Sequence, residues 1–77
     1  MEVAIAFGKV IRELRVKAGL TQEQLGFEAD LRRTFISILE LGQQQPTLTT
    51  ILKLAAALGT TAATIVSDVE KTMKSSN

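Results

Sequence analysis

The fold of this chain is decided by residues 21–42, which read TQEQLGFEADLRRTFISILELG. The stretch predicts two short helices joined by a tight bend. Thr21 can accept a hydrogen bond from the backbone amide of Gln24, and the Gln24 side chain can reach back to the amide of Thr21. This capping box predicts that the first of the two helices begins at about Gln22.

The bend between the two helices has its own signals. Leu25 and Ala29 share the inward face of the first helix at i, i+4 spacing, and Gly26 presents no side chain where the second helix must cross closely. Asp30 tolerates the left-handed backbone of a bend, and we expect its carboxylate to cap the following helix. Two short helices in this arrangement form a helix-turn-helix motif.

The second helix of the motif separates apolar from polar residues. Its apolar residues repeat at i, i+4 and i+8, which predicts one buried stripe. That stripe comprises Leu31, Phe35 or Ile36, and Leu39. The residues on the opposite, exposed side are Arg32, Arg33, Thr34 and Ser37. This outer face is the predicted reading face. The alternative is an ordinary solvated helix start.

The rest of the chain adds three helical patterns and no strand-like alternation, so the predicted fold class is all-α with five helices. Helix one is expected over about residues 2–18, helix four over about 48–58, and helix five after Thr60 or Thr61. The inward stripe predicted for helix one is Val3, Phe7, Ile11 or Val10, Leu14 and Ala18. The stripe predicted for helix four is Leu48, Ile51, Leu52, Ala55 and Leu58.

The chain of 77 residues is predicted to be a single domain, 1–77, with its core at about 7–66 and a frayed tail at 74–77. A core of this size gives limited stability, so we expect a homodimer. Helix five, with the amino-terminal residues, is the predicted interface. Its candidate contacts are Ile65, Val66, Val69 and Met73. The alternative assigns this stripe to the chain's own core.

Composition excludes several classes of protein. Cysteine and histidine are both absent, which argues against disulfide frameworks, zinc fingers and cysteine proteases. No nucleophile with a base and no phosphate-cradling loop appears, so the chain is not expected to be an enzyme or to hold a metal or cofactor. No apolar run approaches a membrane span, and the amino terminus lacks a positive leader. We therefore expect a cytoplasmic protein without a membrane or small-molecule partner.

Charge gives little support for DNA binding. Nine Lys and Arg stand against eight Asp and Glu, which leaves a formal net charge of +1. Few charges would then contact phosphate. Because each neutralised phosphate adds a slope of about 0.9 in log K against log salt, the composition predicts a shallow salt dependence.

Several motifs in order resemble one known family. They are IRELR at 11–15, GLTQEQL at 19–25, LRRTFIS at 31–37, ELG at 40–42, PTL at 46–48 and LKLAAALG at 52–59. Over about residues 7–66 the chain resembles the Xre/Cro, or phage-repressor-like, helix-turn-helix proteins. Within that family it looks most like the controller proteins of restriction-modification systems.

The resemblance implies a compact five-helix, lambda-repressor-like DNA-binding domain that acts as a homodimeric transcription regulator on a near-palindromic operator of double-stranded DNA. It also implies residue roles, which are expectations. Base-reading positions are Arg32, Arg33, Thr34, Ser37 and Ile38, the last against a thymine methyl. Arg33 is the leading candidate, because the arginine fork can engage both acceptors of guanine in the major groove. Backbone contacts are Thr21, Gln22, Gln43 and Gln44. Arg15 and Glu40 form a largely buried structural ion pair.

Two of the departures from the family pattern lie in or at the end of the reading helix. Leu41 stands where the family usually carries Arg, Lys or Asn at the end of the reading helix, so one backbone contact is expected to be missing. Ile38 stands where a polar or basic reading residue is common. Together with the low net charge, these departures favour a rival hypothesis, a protein-interaction or antitoxin-like module on the same fold that does not read DNA.

Overall fold

The computed structural model describes residues 1–75, which form five α-helices and no strand. The predicted fold class is confirmed. The helices are α1 (Val3–Lys17), α2 (Gln22–Ala29), α3 (Arg33–Glu40), α4 (Leu48–Leu58) and α5 (Ala62–Ser75). No single helix in this part of the chain is long and apolar enough to span a membrane; α4 and α5 reach that length only when joined across a 103° bend.

Local signals in the sequence set most of the helix ends. The capping box at the start of α2 is present: the Thr21 amide donates to Gln24 Oε1 at 2.9 Å, and the Gln24 amide donates to Thr21 Oγ1 at 3.0 Å. Thr47 caps α4 by accepting from the Thr50 amide at 3.1 Å. Gly59 follows α4 with a φ of 69°, a left-handed conformation that favours glycine.

The bend between α2 and α3 is made by Asp30, whose backbone is left-handed at φ 56° and ψ 47°. Its predicted second role, capping α3, is wrong. The N-cap of α3 is Arg32, which makes no side-chain capping bond. Leu31 and Arg32 separate Asp30 from the helix start, and the Asp30 carboxylate lies instead 3.8 Å from the ammonium group of Lys53.

One hydrophobic core joins all five helices. Its members are Ala6, Phe7, Val10, Ile11, Leu25, Ala29, Ile36, Leu39, Leu54, Ala55, Ile65 and Val69. Between the two alternatives for α3, Ile36 is the fully buried residue and Phe35 packs half-buried against the core.

The inward stripe was predicted wrongly in part on two helices. Val3 and Ala18 at the ends of α1 are exposed. On α4, Leu48 and Leu52 are also exposed, whereas Leu54, which was not predicted to face inward, is fully buried. Because α4 carries apolar residues around most of its circumference, its periodicity alone does not fix which side faces the core.

Helix α5 packs mainly against α1, and this changes the predicted dimer interface. Ile65 and Val69 are buried in the core of their own chain, so their side chains are not available to a second copy. Met73 packs half-buried against the same core, and Val66 is exposed. Of the predicted tail 74–77, Lys74 and Ser75 are helical; residues 76–77 lie outside the described residues.

Two glycines allow close backbone contacts around α3. A Cβ atom on Gly26 would lie 2.6 Å from the Leu31 carbonyl oxygen, as expected for its position beside the bend. A Cβ atom on Gly8 would collide with the Leu39 carbonyl oxygen and lie 2.7 Å from that of Glu40. The second contact, between α1 and the end of α3, was not predicted from the sequence.

We expect Gly8→Ala to lower the free energy of unfolding by about 1–3 kcal/mol, because α1 and α3 must separate to admit one methyl group. Helix propensity alone predicts the opposite sign, a gain of roughly 1 kcal/mol. Urea denaturation followed by circular dichroism measures the difference, with Lys71→Ala on the exposed side of α5 as the control. An unchanged or raised stability for Gly8→Ala would show that the crossing is not tight.

Candidate nucleic-acid interface

The candidate interface is built around an ion pair between α1 and the end of α3. Arg15 Nε lies 2.6 Å from Glu40 Oε2, and Arg15 Nη2 donates to Glu40 Oε1 at 3.0 Å. Arg15 Nη1 also donates to the Leu20 carbonyl oxygen at 2.9 Å, in the turn before α2. Gln22 Nε2 donates to Glu40 Oε1 at 3.1 Å. The cluster therefore ties α1, the start of α2 and the end of α3 together.

Burial makes this pair structural. The Arg15 and Glu40 side chains are only 13% and 4% exposed. The hydrogen bond to Glu40 raises the pKa of Arg15 above its ordinary value and outweighs desolvation, which acts in the opposite direction. The ion pair predicted from the family resemblance is present with both carboxylate oxygens engaged.

The amino terminus of α2 lies on the same side of the molecule as the Arg15–Glu40 pair. The amides of Gln22 and Glu23 precede the first intrahelical bond, which runs from the Leu25 amide to the Thr21 carbonyl oxygen at 2.9 Å. Such free first-turn amides attract anions. The Gln22 side chain is held over this helix start by its bond to Glu40.

The outer face of α3 lies beside this helix start. Arg32, Arg33 and Thr34 are exposed and Ser37 is half-buried. Arg33 Nη1 donates to Glu23 Oε2 at 3.0 Å. This pair is exposed, because the Arg33 side chain is 68% and the Glu23 side chain 74% accessible to solvent. A groove of about 650 Å³ brings together residues of both motif helices and the preceding turn: Arg15, Gly19, Leu20, Thr21, Gln22, Glu23, Arg33, Thr34 and Ser37.

Of the residues predicted to contact DNA or to form the ion pair, five do not line this groove. Arg32 is exposed at the N-cap of α3, on the same end of the helix. Ile38 is half-buried, so only part of its side chain is available for a contact. Gln43 and Gln44 are exposed in the loop after α3, where the Gln43 amide donates to the Ile38 carbonyl oxygen at 3.1 Å. Glu40 serves the buried ion pair described above.

The sequence profile of one family, described as helix-turn-helix, matches residues 11–65, which is more than half of the chain. The chain belongs to this helix-turn-helix family of Xre/Cro type. The match includes α2, α3 and α4 together with the carboxy-terminal part of α1 and the start of α5. This helix-turn-helix protein therefore belongs to a family of transcription regulators.

Several individual relatives of this chain are controller proteins. Control protein C.MunI from Mycoplasma sp is 37% identical over 71 residues, covering 91% of this chain and 96% of the relative. Control protein C.BamHI from Bacillus amyloliquefaciens is 41% identical over 58 residues, covering 74% and 72%. The crystal structure of the restriction-modification controller protein C.AhdI from Aeromonas hydrophila superposes with a TM-score of 0.78 at 40% identity, covering 80% of this chain and 94% of that one.

Sequence reasoning missed two features of this helix-turn-helix protein. The first is the ion pair between Glu23 and Arg33, which lie ten positions apart on different helices, so no local sequence pattern predicts their contact. The second feature is a groove of about 940 Å³ on the α1 side of the reading face. Its basic lining residues are Lys9, Arg12 and Lys17. The only sequence signal for this groove was the i, i+3 spacing of Lys9 and Arg12, which places both cations on the solvent-exposed side of helix one.

The two Glu–Arg pairs make a matched test of burial. We expect Glu40→Ala to lower the free energy of unfolding by about 3–5 kcal/mol, because it leaves the Arg15 charge buried without a partner. The exposed pair should contribute under about 1 kcal/mol, so Glu23→Ala is the control. Thermal melting of both variants beside the parent protein measures the contrast. Equal shifts for the two variants would contradict a structural role for the Arg15–Glu40 pair.

Proposed function

We propose that this protein is a sequence-specific, homodimeric DNA-binding transcription regulator that reads a near-palindromic operator, in the manner of a restriction-modification controller protein. One observation carries the proposal. In a chain of the helix-turn-helix family, the free amides at the start of α2 and the exposed polar face of α3 line one groove. An anion site beside a row of base-reading side chains suits a helix that enters the major groove.

Arg33 is the main base-reading residue in this proposal. Its guanidinium is exposed at the first position of α3, and one of its nitrogens is hydrogen-bonded to Glu23. The bond holds the guanidinium near the reading face and leaves other N–H donors for the O6 and N7 acceptors of guanine. Thr34 and Ser37 follow on the same face and supply hydroxyl groups for bases or phosphates.

The DNA backbone is contacted on either side of α3. At the start of α2, the free amides with Thr21 and Gln22 are placed to bind one phosphate. The exposed amide side chains of Gln43 and Gln44, in the loop after α3, bind the backbone without charge. These contacts fix the register of the protein on DNA, whereas Arg33 and its neighbours supply sequence preference.

The homodimer is proposed to form through the exposed apolar side chains of the last two helices. Leu48 and Leu52 lie one turn apart on α4, and Val66 lies on α5; all three are exposed although apolar. Leu48 and Leu52 replace the buried Ile65 and Val69 as candidate contacts, and Val66 remains one. Dimeric helix-turn-helix proteins place their two reading helices in successive major grooves about 34 Å apart, and this homodimer is proposed to do the same.

The similarity to known controller proteins supports the controller role. C.MunI and C.BamHI are control proteins, and C.AhdI is a restriction-modification controller protein.

The rival function is a protein-interaction module without DNA reading. It is favoured by the near-neutral charge and by the exposure of Leu41 at the end of α3. The two hypotheses differ in one respect that can be measured, which is saturable binding to DNA.

We expect saturable binding to the DNA immediately upstream of the protein's own gene, and we expect Arg33→Ala to weaken it by about 10- to 100-fold, as loss of a bidentate guanine contact predicts. Binding to scrambled DNA should change much less. Fluorescence anisotropy with both duplexes gives the ratio, and Lys71→Ala is the charge-matched control. If the parent protein shows no saturable binding at low salt, the protein-interaction module becomes the better hypothesis.

Leu52→Glu should convert the homodimer to monomer, because a carboxylate at the interface would be buried without a partner. Val16→Glu is the matched control, since Val16 on α1 is 60% exposed and Leu52 is 54% exposed. Sedimentation equilibrium at micromolar concentration measures the mass of each variant. A monomeric parent protein would exclude the homodimer. Dissociation by Val16→Glu but not by Leu52→Glu would place the interface elsewhere on the protein.

A further inference from the structure

We propose that α1 is an additional DNA-binding element, and that Lys9, Arg12 and Lys17 bind the sugar-phosphate backbone next to the major groove that α3 enters. This inference rests on the proposed function and extends it. Residues of α1 were assigned only to the core and to the Arg15–Glu40 pair. The three cations on its outer side take part in neither.

Geometry connects these cations to the reading face. Lys9, Arg12 and Lys17 line one wall of the groove of about 940 Å³, together with Glu13 and Val16. The opposite wall consists of Gln22, Ser37, Glu40 and Leu41. Gln22 and Ser37 also line the groove at the start of α2, so the two grooves adjoin each other. We therefore expect a DNA strand bound at the start of α2 to continue past α1.

The balance of charge in the groove is positive. Among residues 1–75, Arg15–Glu40, Arg33–Glu23 and Lys53–Asp30 form ion pairs, and the three groove cations belong to none of these. The charge of Glu40 is already matched by Arg15. Glu13 is therefore the single acid in the groove that opposes three cations. An almost neutral protein thus concentrates its spare positive charge next to the reading face.

Phosphate fits this groove better than an apolar partner does. Val16 and Leu41 are both exposed at its edges, but an apolar partner covering them would also desolvate three ammonium or guanidinium groups, which is costly without counter-charges. A phosphate backbone supplies those counter-charges. The long Lys and Arg side chains can lay their methylene stems along Val16 while their charged ends reach the backbone.

The position of Leu41 gives the groove a specific role. Leu41 occupies the end of the reading helix, where it cannot pair with phosphate, and α1 brings cations to the opposite wall of the same groove. The charge that α3 lacks is in this way supplied by a different helix. The salt dependence of binding should therefore be steeper than the shallow value that composition predicts.

The test is a salt-series titration of the full chain against a duplex of the DNA upstream of its own gene, comparing the parent protein with the Lys9→Ala/Arg12→Ala double variant. Losing two phosphate contacts should reduce the slope of log K against log salt by about 1.8. Between about 50 and about 200 mM salt the variant should then lose roughly 10-fold less affinity than the parent. The preference for the upstream duplex over a scrambled one should stay unchanged.

The control is Lys71→Ala/Lys74→Ala, which removes the same net charge from exposed positions on α5. A second readout uses duplexes with methylphosphonate groups at the phosphates flanking the operator. These neutral linkages should weaken binding of the parent protein and have little effect on the α1 double variant.

Three results would overturn the proposal. An unchanged slope in the α1 double variant, with the parent binding normally, would show that the groove does not touch DNA. An equal slope change in the α5 control would show a general effect of net charge. A change in oligomeric state on sedimentation would identify the groove as a contact between copies. If the parent protein binds neither duplex, the proposed function itself fails, and that outcome is distinct from all three.

Discussion

The bidentate pair between Arg15 and Glu40 is the interaction on which the arrangement of the reading face depends. Two charges removed from water are tolerated only when their hydrogen-bonding groups find partners. Here the guanidinium meets both carboxylate oxygens and the Leu20 carbonyl, and the carboxylate also accepts from Gln22. Few positions of α3 relative to α1 and the start of α2 satisfy all four bonds. The pair therefore fixes the angle at which α3 is presented.

Close backbone packing acts with this pair. The Gly8 contact brings α1 against the carbonyl groups of Leu39 and Glu40, so the ion pair and the tight crossing meet at the same end of α3. At the other end, the left-handed Asp30 and the Gly26 contact hold α3 against α2. An eight-residue helix has little stability by itself. Held at both ends, it becomes a rigid support for side chains that must meet an external partner in register.

Charge distribution explains how a nearly neutral chain can bind a polyanion. Three of the eight acids of the chain form ion pairs: Glu40 with Arg15 in the interior, Glu23 with Arg33 on the reading face, and Asp30 with Lys53 at the bend. Their charges are matched before any partner arrives. The cations of α1 lie together along one groove, so the field near the reading face differs from the value that net charge suggests.

The sequence by itself determined the local features: the capping box at Thr21, the left-handed Asp30 and Gly59, the Thr47 cap, and hence the number and ends of the helices. These depend on residues within a few positions of each other. Tertiary structure decided which faces meet. The rotation of α4 that buries Leu54, the burial of Ile65 and Val69, and the pairing of Glu23 with Arg33 depend on residues far apart in the chain. So does the groove that places Lys9 and Arg12 opposite Ser37. Periodicity shows that a helix has an apolar side, but a helix with apolar residues around most of its surface takes its orientation from its neighbours.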